Sequence, residues 1–391
     1  MKKLLQIVAF ATLSIGLNQN ATSQGCVAVR QMGGMNGLNS SSYNLGKGEI
    51  QVGVNYRYFH SFRHFVGTEE QPQRQDLGNA VNIYSHAVDI NFAYGITNRL
   101  QAYVTVPYVN NERSQTLTLT KDAATKTLTR YSVFANGLAD VRMGLNYWVI
   151  NPDKMKRGNL NVGMGVKLAT GSYTKTDDAL QTDGTLKSVV MDQAIQPGDG
   201  GVGFSVELQG FQAIYRNIYG FASGYYMFSP QESNGTFKSA AKKGLEGYEI
   251  YASPDQYFGR AGLMMPVGKK QNLTFSLAGR LEGIPAYDAI GGQVAYRRPG
   301  YVIAIEPGVT YRSGQHTFTL FVPKNIVRNR IQSAADIASE NLQNSVITDP
   351  TKYVHVQGDA AFADYSVNIG YSYRIGKKIK TPEWNGGLSQ K

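Results

Sequence analysis

Cysteine is nearly missing from this chain of 391 residues: Cys26 is the only one, so there is no internal disulfide framework. Long apolar runs are missing too. After residue 17 no stretch stays apolar for the roughly 18 residues a spanning helix needs, which excludes helical membrane spans. Charge is sparse. Charged residues make up 17%, and no Lys/Arg run is longer than a few residues. The net charge of +11 therefore lacks the basic clustering of a nucleic-acid-binding surface. Enzyme motifs are also wanting: there is no Gly-x-Ser-x-Gly elbow, Walker loop or His-Glu-x-x-His. Nothing in the chain calls for a cofactor.

Glycine and tyrosine are abundant, at 43 and 25 residues. Together they suit β hairpins, and tyrosine suits a membrane interface. The N-terminus has the pattern of a secretion signal. Lys2-Lys3 precede an apolar stretch, Leu4 to Leu17, and then the small residues of Ala21-Thr22-Ser23, which predicts cleavage near Ser23, before Gln24. The rival is a lipoprotein acylated at Cys26, but Gln24 fits a lipobox poorly.

From about residue 47 the chain alternates apolar and polar in segments of roughly ten residues, the strand period of two. Leu160, Val162, Met164, Val166 and Leu168 share one face; Asn161, Gly163, Gly165 and Lys167 share the other. About twelve strands are predicted, centred on 48–58, 87–95, 99–108, 138–150, 159–169, 201–212, 217–228, 256–267, 272–283, 300–312, 315–323 and 363–376. Short links alternate with long polar excursions at 59–86, 109–137, 170–200, 229–255, 284–299 and 324–362. The pattern predicts an all-β protein: a transmembrane, antiparallel, up-and-down β-barrel with short periplasmic turns and long extracellular loops. Residues 1–23 are then the signal peptide, 24–46 a periplasmic segment or plug, 47–376 the barrel and 377–391 a periplasmic tail. Within the loops, 116–120 and 126–131 predict a hairpin extending the barrel outward, and the apolar spacing over 325–344 predicts an amphipathic helix.

In such a barrel the polar parity lines the lumen, because Arg or Lys at the lipid midplane costs about 2–4 kcal/mol. The lumen-lining candidates are Asp89, Arg142, Lys167, Glu207, Arg260, Arg280, Glu282 and Glu306, with Arg57, Arg312 and Arg374 of the same parity. Two roles are open to them: a salt-bridged interior that only stabilises the fold, or a lining that solutes meet. Glycines such as Gly53, Gly144, Gly163, Gly165, Gly308 and Gly370 share that parity. They either relieve crowding or admit residues 24–46 as a plug.

Three stretches resemble a known family. Residues 93–109 read AYGITNRLQAYVTVPYV, a strand–turn–strand closing on a Pro-aromatic pair. Residues 136–149 read NGLADVRMGLNYWV, a Gly-x-x-Asp strand start, and residues 196–212 read QPGDGGVGFSVELQGFQ, a Pro-Gly-rich loop leading into a strand. Together they resemble the outer-membrane barrels labelled for the meta-pathway of phenol degradation, often described as transporters. The resemblance spans about 47–376 and implies passage of small, often aromatic or hydrophobic compounds. The chain departs from the usual terminal aromatic residue: Tyr373 and Ile375 are followed by Gly376 to Lys391.

The sequence thus favours a monomeric outer-membrane channel or facilitator of a Gram-negative bacterium that passes small solutes. Its expected partners are membrane lipids, lipopolysaccharide, the outer-membrane assembly machinery and the solute, and it is not an enzyme. One alternative is a structural or adhesion barrel acting through loops such as 229–255 and 284–299. Another is an outer-membrane lipid hydrolase, with His64 near Ser61 or His86 beside Ser85. A loop metal site from His60, His64 or His86 with Glu69 or Glu70 is the weakest alternative.

Overall fold

A computed structural model describes residues 45–122, 125–154, 157–268 and 271–376. The signal peptide, most of the 24–46 segment and the 377–391 tail lie outside the described residues. Twelve antiparallel strands close into a barrel. They are β1 (Ile50–Val66), β2 (Asn82–Gly95), β3 (Leu100–Asp122), β4 (in two pieces, Thr125–Leu138 and Arg142–Trp148), β5 (Gly158–Lys167) and β6 (Gly203–Tyr215). They continue with β7 (Ile218–Phe228), β8 (Gln256–Val267), β9 (Leu273–Ile284), β10 (Gly300–Ser313), β11 (His316–Phe321 and Lys324–Asn329) and β12 (Ala360–Ile375). Each strand pairs with its sequence neighbour, and β12 returns to β1 with Val52 opposite Tyr373. Closure leaves no edge at the depth of the belt, so the backbone hydrogen bonds there are satisfied within the wall.

The outward parity carries an exposed apolar belt that includes Ile90, Leu145, Met164, Leu208, Leu277, Ile305, Leu320 and Ile369. Exposed aromatic residues rim it at both ends: Tyr94, Tyr147, Tyr215 and Tyr311 near the short turns, and Tyr108, Phe204 and Tyr365 near the long loops. Leu100, which pairs with Tyr147, lies eight residues from Tyr108 on β3. That is about 27 Å along the strand, or roughly 20 Å along the axis at the usual tilt, close to the apolar height of such barrels.

Both split strands face a proline. Pro107 of β3 has no N–H, and its carbonyl accepts from Ala139 N at 2.8 Å. Thr105 pairs with Arg142 and Tyr108 with Leu138, so β4 carries one extra residue there, a bulge. Pro307 of β10 faces the second break, where its carbonyl accepts from Val322 N at 3.1 Å and Pro323 interrupts β11.

The wall is uneven in height. β1 to β4 run well past the aromatic rim into segments expected to be loops, 59–66, 82–86, 109–122 and 125–137. The predicted outer hairpin is present, with Thr116 opposite Arg130 and Leu119 opposite Thr127. These extensions escaped the strand reading because the polarity inverts above the rim. On β3 the outward Asn110 is polar and exposed, while the inward Val109 is apolar and buried. Pairing continues where the lipid-facing pattern stops. The helix expected over 325–344 divides: Ile326 and Val327 belong to β11, and the helix is Ala334–Asn344. A capping box starts it, with Asp336 N donating to the Ser333 hydroxyl at 3.0 Å and Ser333 N to the Asp336 carboxylate at 2.8 Å.

Candidate functional site

At the depth of the apolar belt the lumen is crossed by a chain of ion pairs. Arg57 on β1 reaches Glu282 on β9 at 3.2 Å, four strands away around the wall. Arg280 sits between Glu282 and Glu306 of β10 at 2.7 Å to each. Arg260 of β8 reaches the other oxygen of Glu306 at 2.8 Å and donates to the Ser223 hydroxyl of β7 at 3.0 Å. Phe258, Phe221 and Phe321 lie under the Arg280 and Arg260 guanidinium groups. Arg280 is 2% exposed and Glu306 1%, so the pairs are shielded from the salt that screens surface charges.

A second polar set stands on the opposite wall. The Tyr103 hydroxyl of β3 donates to Glu207 of β6 at 2.5 Å, and Ser205 donates to the same carboxylate at 3.2 Å. Arg142 lies 5.8 Å over the Tyr225 ring, and Asp89 of β2 is buried between Arg142 and Arg57. Toward the short turns uncharged polar side chains take over much of the interior: Gln51, Asn55, Asn91, Gln101, Asn146 and Thr319 surround a cavity of about 30 Å³. That is space for water, not for a solute. Arg374 pairs with Glu49 at 2.9 Å at this end, and Arg312 is half-buried nearby.

Lys167 has a different place. It sits at the top of β5, 1% exposed, bound to Asp199 and 3.8 Å from Asp140. Asp140 lies in the β4 bulge. Its carboxylate accepts from Gly171 N at 2.9 Å and Asp199 N at 3.2 Å. Asp199 also accepts from Gly201 N at 2.9 Å and the Ser253 hydroxyl at 2.8 Å. The two motifs read separately, NGLADV and QPGDGG, thus meet around one lysine. Gly171 and Gly198 pack backbone to backbone, where a Cβ on Gly198 would fall 2.4 Å from the Gly171 carbonyl oxygen. Gly200 has φ +82°, which a side chain would strain. Sequence reasoning placed Lys167 in the lumen lining and left Asp140 and Asp199 unassigned. The Gly-flanked aspartates at the ends of a long loop were the available signal.

This lock folds loop 170–200 into the mouth. Met191 and Ile195, both buried, join Phe65, Ile83 and Ala135 from the risen strands, Val302 of β10 and Phe362 of β12 in an apolar cluster. Asn111 donates to the Ile195 carbonyl at 2.8 Å, and Arg298 grips Asp192 at 2.7 and 2.5 Å. Burial alone would raise the Asp192 carboxyl, but Arg298 outweighs it and holds it well below the usual range. Loops 229–255 and 284–299 close over beside it. Asn234 donates to the Asp199 carbonyl at 2.9 Å, Asp255 N donates to Asp288 at 2.8 Å, and Arg297 pairs with Asp288 at 2.5 Å.

The inward glycines are matched by the barrel's own side chains. Tyr103 lies against Gly144 and Gly165, Asn146 against Gly163, and Phe321 against Gly308. Crowding among these groups accounts for them without an inserted segment. The histidines do not meet the paired serines. The Ser85 hydroxyl donates to Asn111 at 2.7 Å, while His86 Nδ1 meets the Tyr56 hydroxyl at 2.8 Å. His64 Nδ1 faces Asp359 at 2.9 Å, and its Nε2 accepts from Val81 N at 2.9 Å, which leaves no lone pair for Ser61. His60 stacks on Tyr84 with ring centroids 4.0 Å apart.

No protein-family model matches the sequence, and no curated protein matches it. Solved structures do share its architecture. An outer-membrane channel of Pseudomonas putida F1 superposes with a TM-score of 0.54 at 10% identity, over 86% of this chain and 99% of that one. The P. putida toluene transporter TodX aligns over 86% of this chain and 91% of its own at 11% identity, with a TM-score of only 0.39. At these identities the likeness is one of fold: a closed, twelve-stranded, antiparallel barrel of the outer-membrane type.

Proposed function

We propose that the chain is an outer-membrane channel or facilitator that passes small solutes through its polar lumen. The carrying observation is the pairing of an apolar, aromatic-rimmed exterior with an interior of buried charges. The short turns and both chain termini of the barrel, at Ile50 and Ile375, then face the periplasm of a Gram-negative cell after removal of residues 1–23, and the risen strands face outward. Lipids and lipopolysaccharide surround a monomer delivered by the assembly machinery.

Within this reading the lining charges at belt depth come in matched numbers. Arg57, Arg142, Arg260 and Arg280 give four positive charges; Asp89, Glu207, Glu282 and Glu306 give four negative. A solute moving along them trades one hydrogen-bonding partner for the next and meets no net field of either sign. Loop 170–200 fills the mouth, so passage requires that it shift. The same filled mouth and bridged lumen favour a second reading, a structural or adhesion barrel. Planar-bilayer recording on the purified full chain tests the two. Discrete conductance steps with weak ion selectivity support the channel; a sealed barrel favours the second reading.

A further inference from the structure

Beside the apolar cluster of the mouth, and continuous with it through Met191, lies a site that the lumen does not use. The loop hairpin Thr176–Leu180 and Leu186–Val190 stands against the inner face of the β3–β4 extension and is held by Phe134 N donating to Asp177 at 2.7 Å. Between them is a cavity of about 170 Å³. Its walls are Leu117, Tyr131 and Val133 on one side and Ala179, Leu180 and Val189 on the other. An apolar cavity of about 150 Å³ holds benzene, so the space suits a body of one six-membered ring.

One end of the cavity is polar and carries Arg113, Gln115 and Asp192. Asp192 is already neutralised by both guanidinium nitrogens of Arg298. Arg113 gives one N–H to Gln115 at 2.9 Å, makes no ion pair within 4 Å among the described residues, and acts on Asp192 only at longer range. Of the three charged groups at this end, two cancel and one positive charge remains. A half-buried guanidinium facing an apolar pocket recognises a carboxylate with two parallel hydrogen bonds.

We propose that this cleft binds a small apolar molecule carrying one anionic group, with the anion on Arg113 and the apolar body between Val133 and Ala179. Loop 170–200 contributes Asp192 and Met191 to the cleft and Ile195 to the mouth cluster, so an occupant touches the segment that fills the mouth. The site stands apart from the channel reading, since a sealed barrel would carry it equally. Binding to the purified full chain in detergent micelles is therefore measured without transport.

Benzoate is the probe, and benzamide its uncharged isostere, in isothermal titration. Benzoate is expected to saturate one site and benzamide to bind at least roughly tenfold more weakly. Arg113→Gln should bring benzoate down to the benzamide level, and Arg113→Lys should restore part of the difference. Ala179→Trp, and separately Val189→Trp from the same wall, should abolish binding of both while heat-modifiable migration on gels remains that of a folded barrel. Absence of saturable benzoate binding, equal affinity for the two probes, or unchanged binding in both tryptophan variants would overturn the proposal.

Discussion

The lumen at membrane depth and the mouth above it are both filled, and with opposite chemistry. In the lumen, Arg57, Glu282, Arg280, Glu306 and Arg260 join strands by buried ion pairs. In the mouth, Phe65, Ile83, Met191, Ile195 and Phe362 join a loop to the wall by apolar contact. The reason lies outside the wall. Where the outward parity must meet lipid, the inward parity takes the polar residues; where the outward parity meets water, the inward one is free to build an ordinary core. A buried ion pair contributes little net stability over an apolar pair but is costly to break, and it fixes geometry. A loop held by an apolar cluster opens locally at lower free energy than core strands do. In the proposed channel the two layers would therefore differ in role: the lower one is fixed, and the upper one is the element that shifts.

Several variants test that difference. The largest effect is expected from replacing residues 173–195 with a short Gly-Ser link. Single-channel conductance should rise severalfold if the mouth is the constriction, and remain unchanged if the ion-pair chain is. Next is Glu306→Gln, which strips one partner from both Arg260 and Arg280. It should cost about 3–5 kcal/mol, read as a lower temperature for heat-modified gel migration, and should shift reversal potentials toward anion selectivity. Ile195→Ala should cost about 2–5 kcal/mol within the mouth alone, read as faster proteolysis of loop 170–200 with barrel migration unchanged. The smallest effect is that of acid. Asp192 is depressed, so its contribution is present above its unfolded value near pH 4 and lost as pH falls toward its folded value. Loop proteolysis should accelerate modestly below about pH 4, and Arg298→Gln should weaken that dependence.

Strand number and order were legible because lipid forces strict alternation, as along Leu160 to Leu168. The strand extensions were not legible. Polarity inverts above the rim at Val109 and Asn110, and a reader expecting apolar residues to face out stops there. The inward parity of Arg280 and Glu306 was likewise readable, but not their pairing, because register across several strands sets it. Lys167 shows the same limit. Its parity matched the other lumen residues, yet its position at the strand top gave it to Asp199, 32 residues along the chain.

By itself the sequence determined the barrel: period-two alternation over some twelve segments has one stable solution in lipid, a closed sheet with the charged parity inside. Only the tertiary structure decided what fills that barrel. Closure brings Arg57 to Glu282 across 225 residues, and the lock between Asp140, Lys167 and Asp199 turns a long polar loop inward. Such contacts depend on curvature and strand height around the wall, which no local pattern encodes.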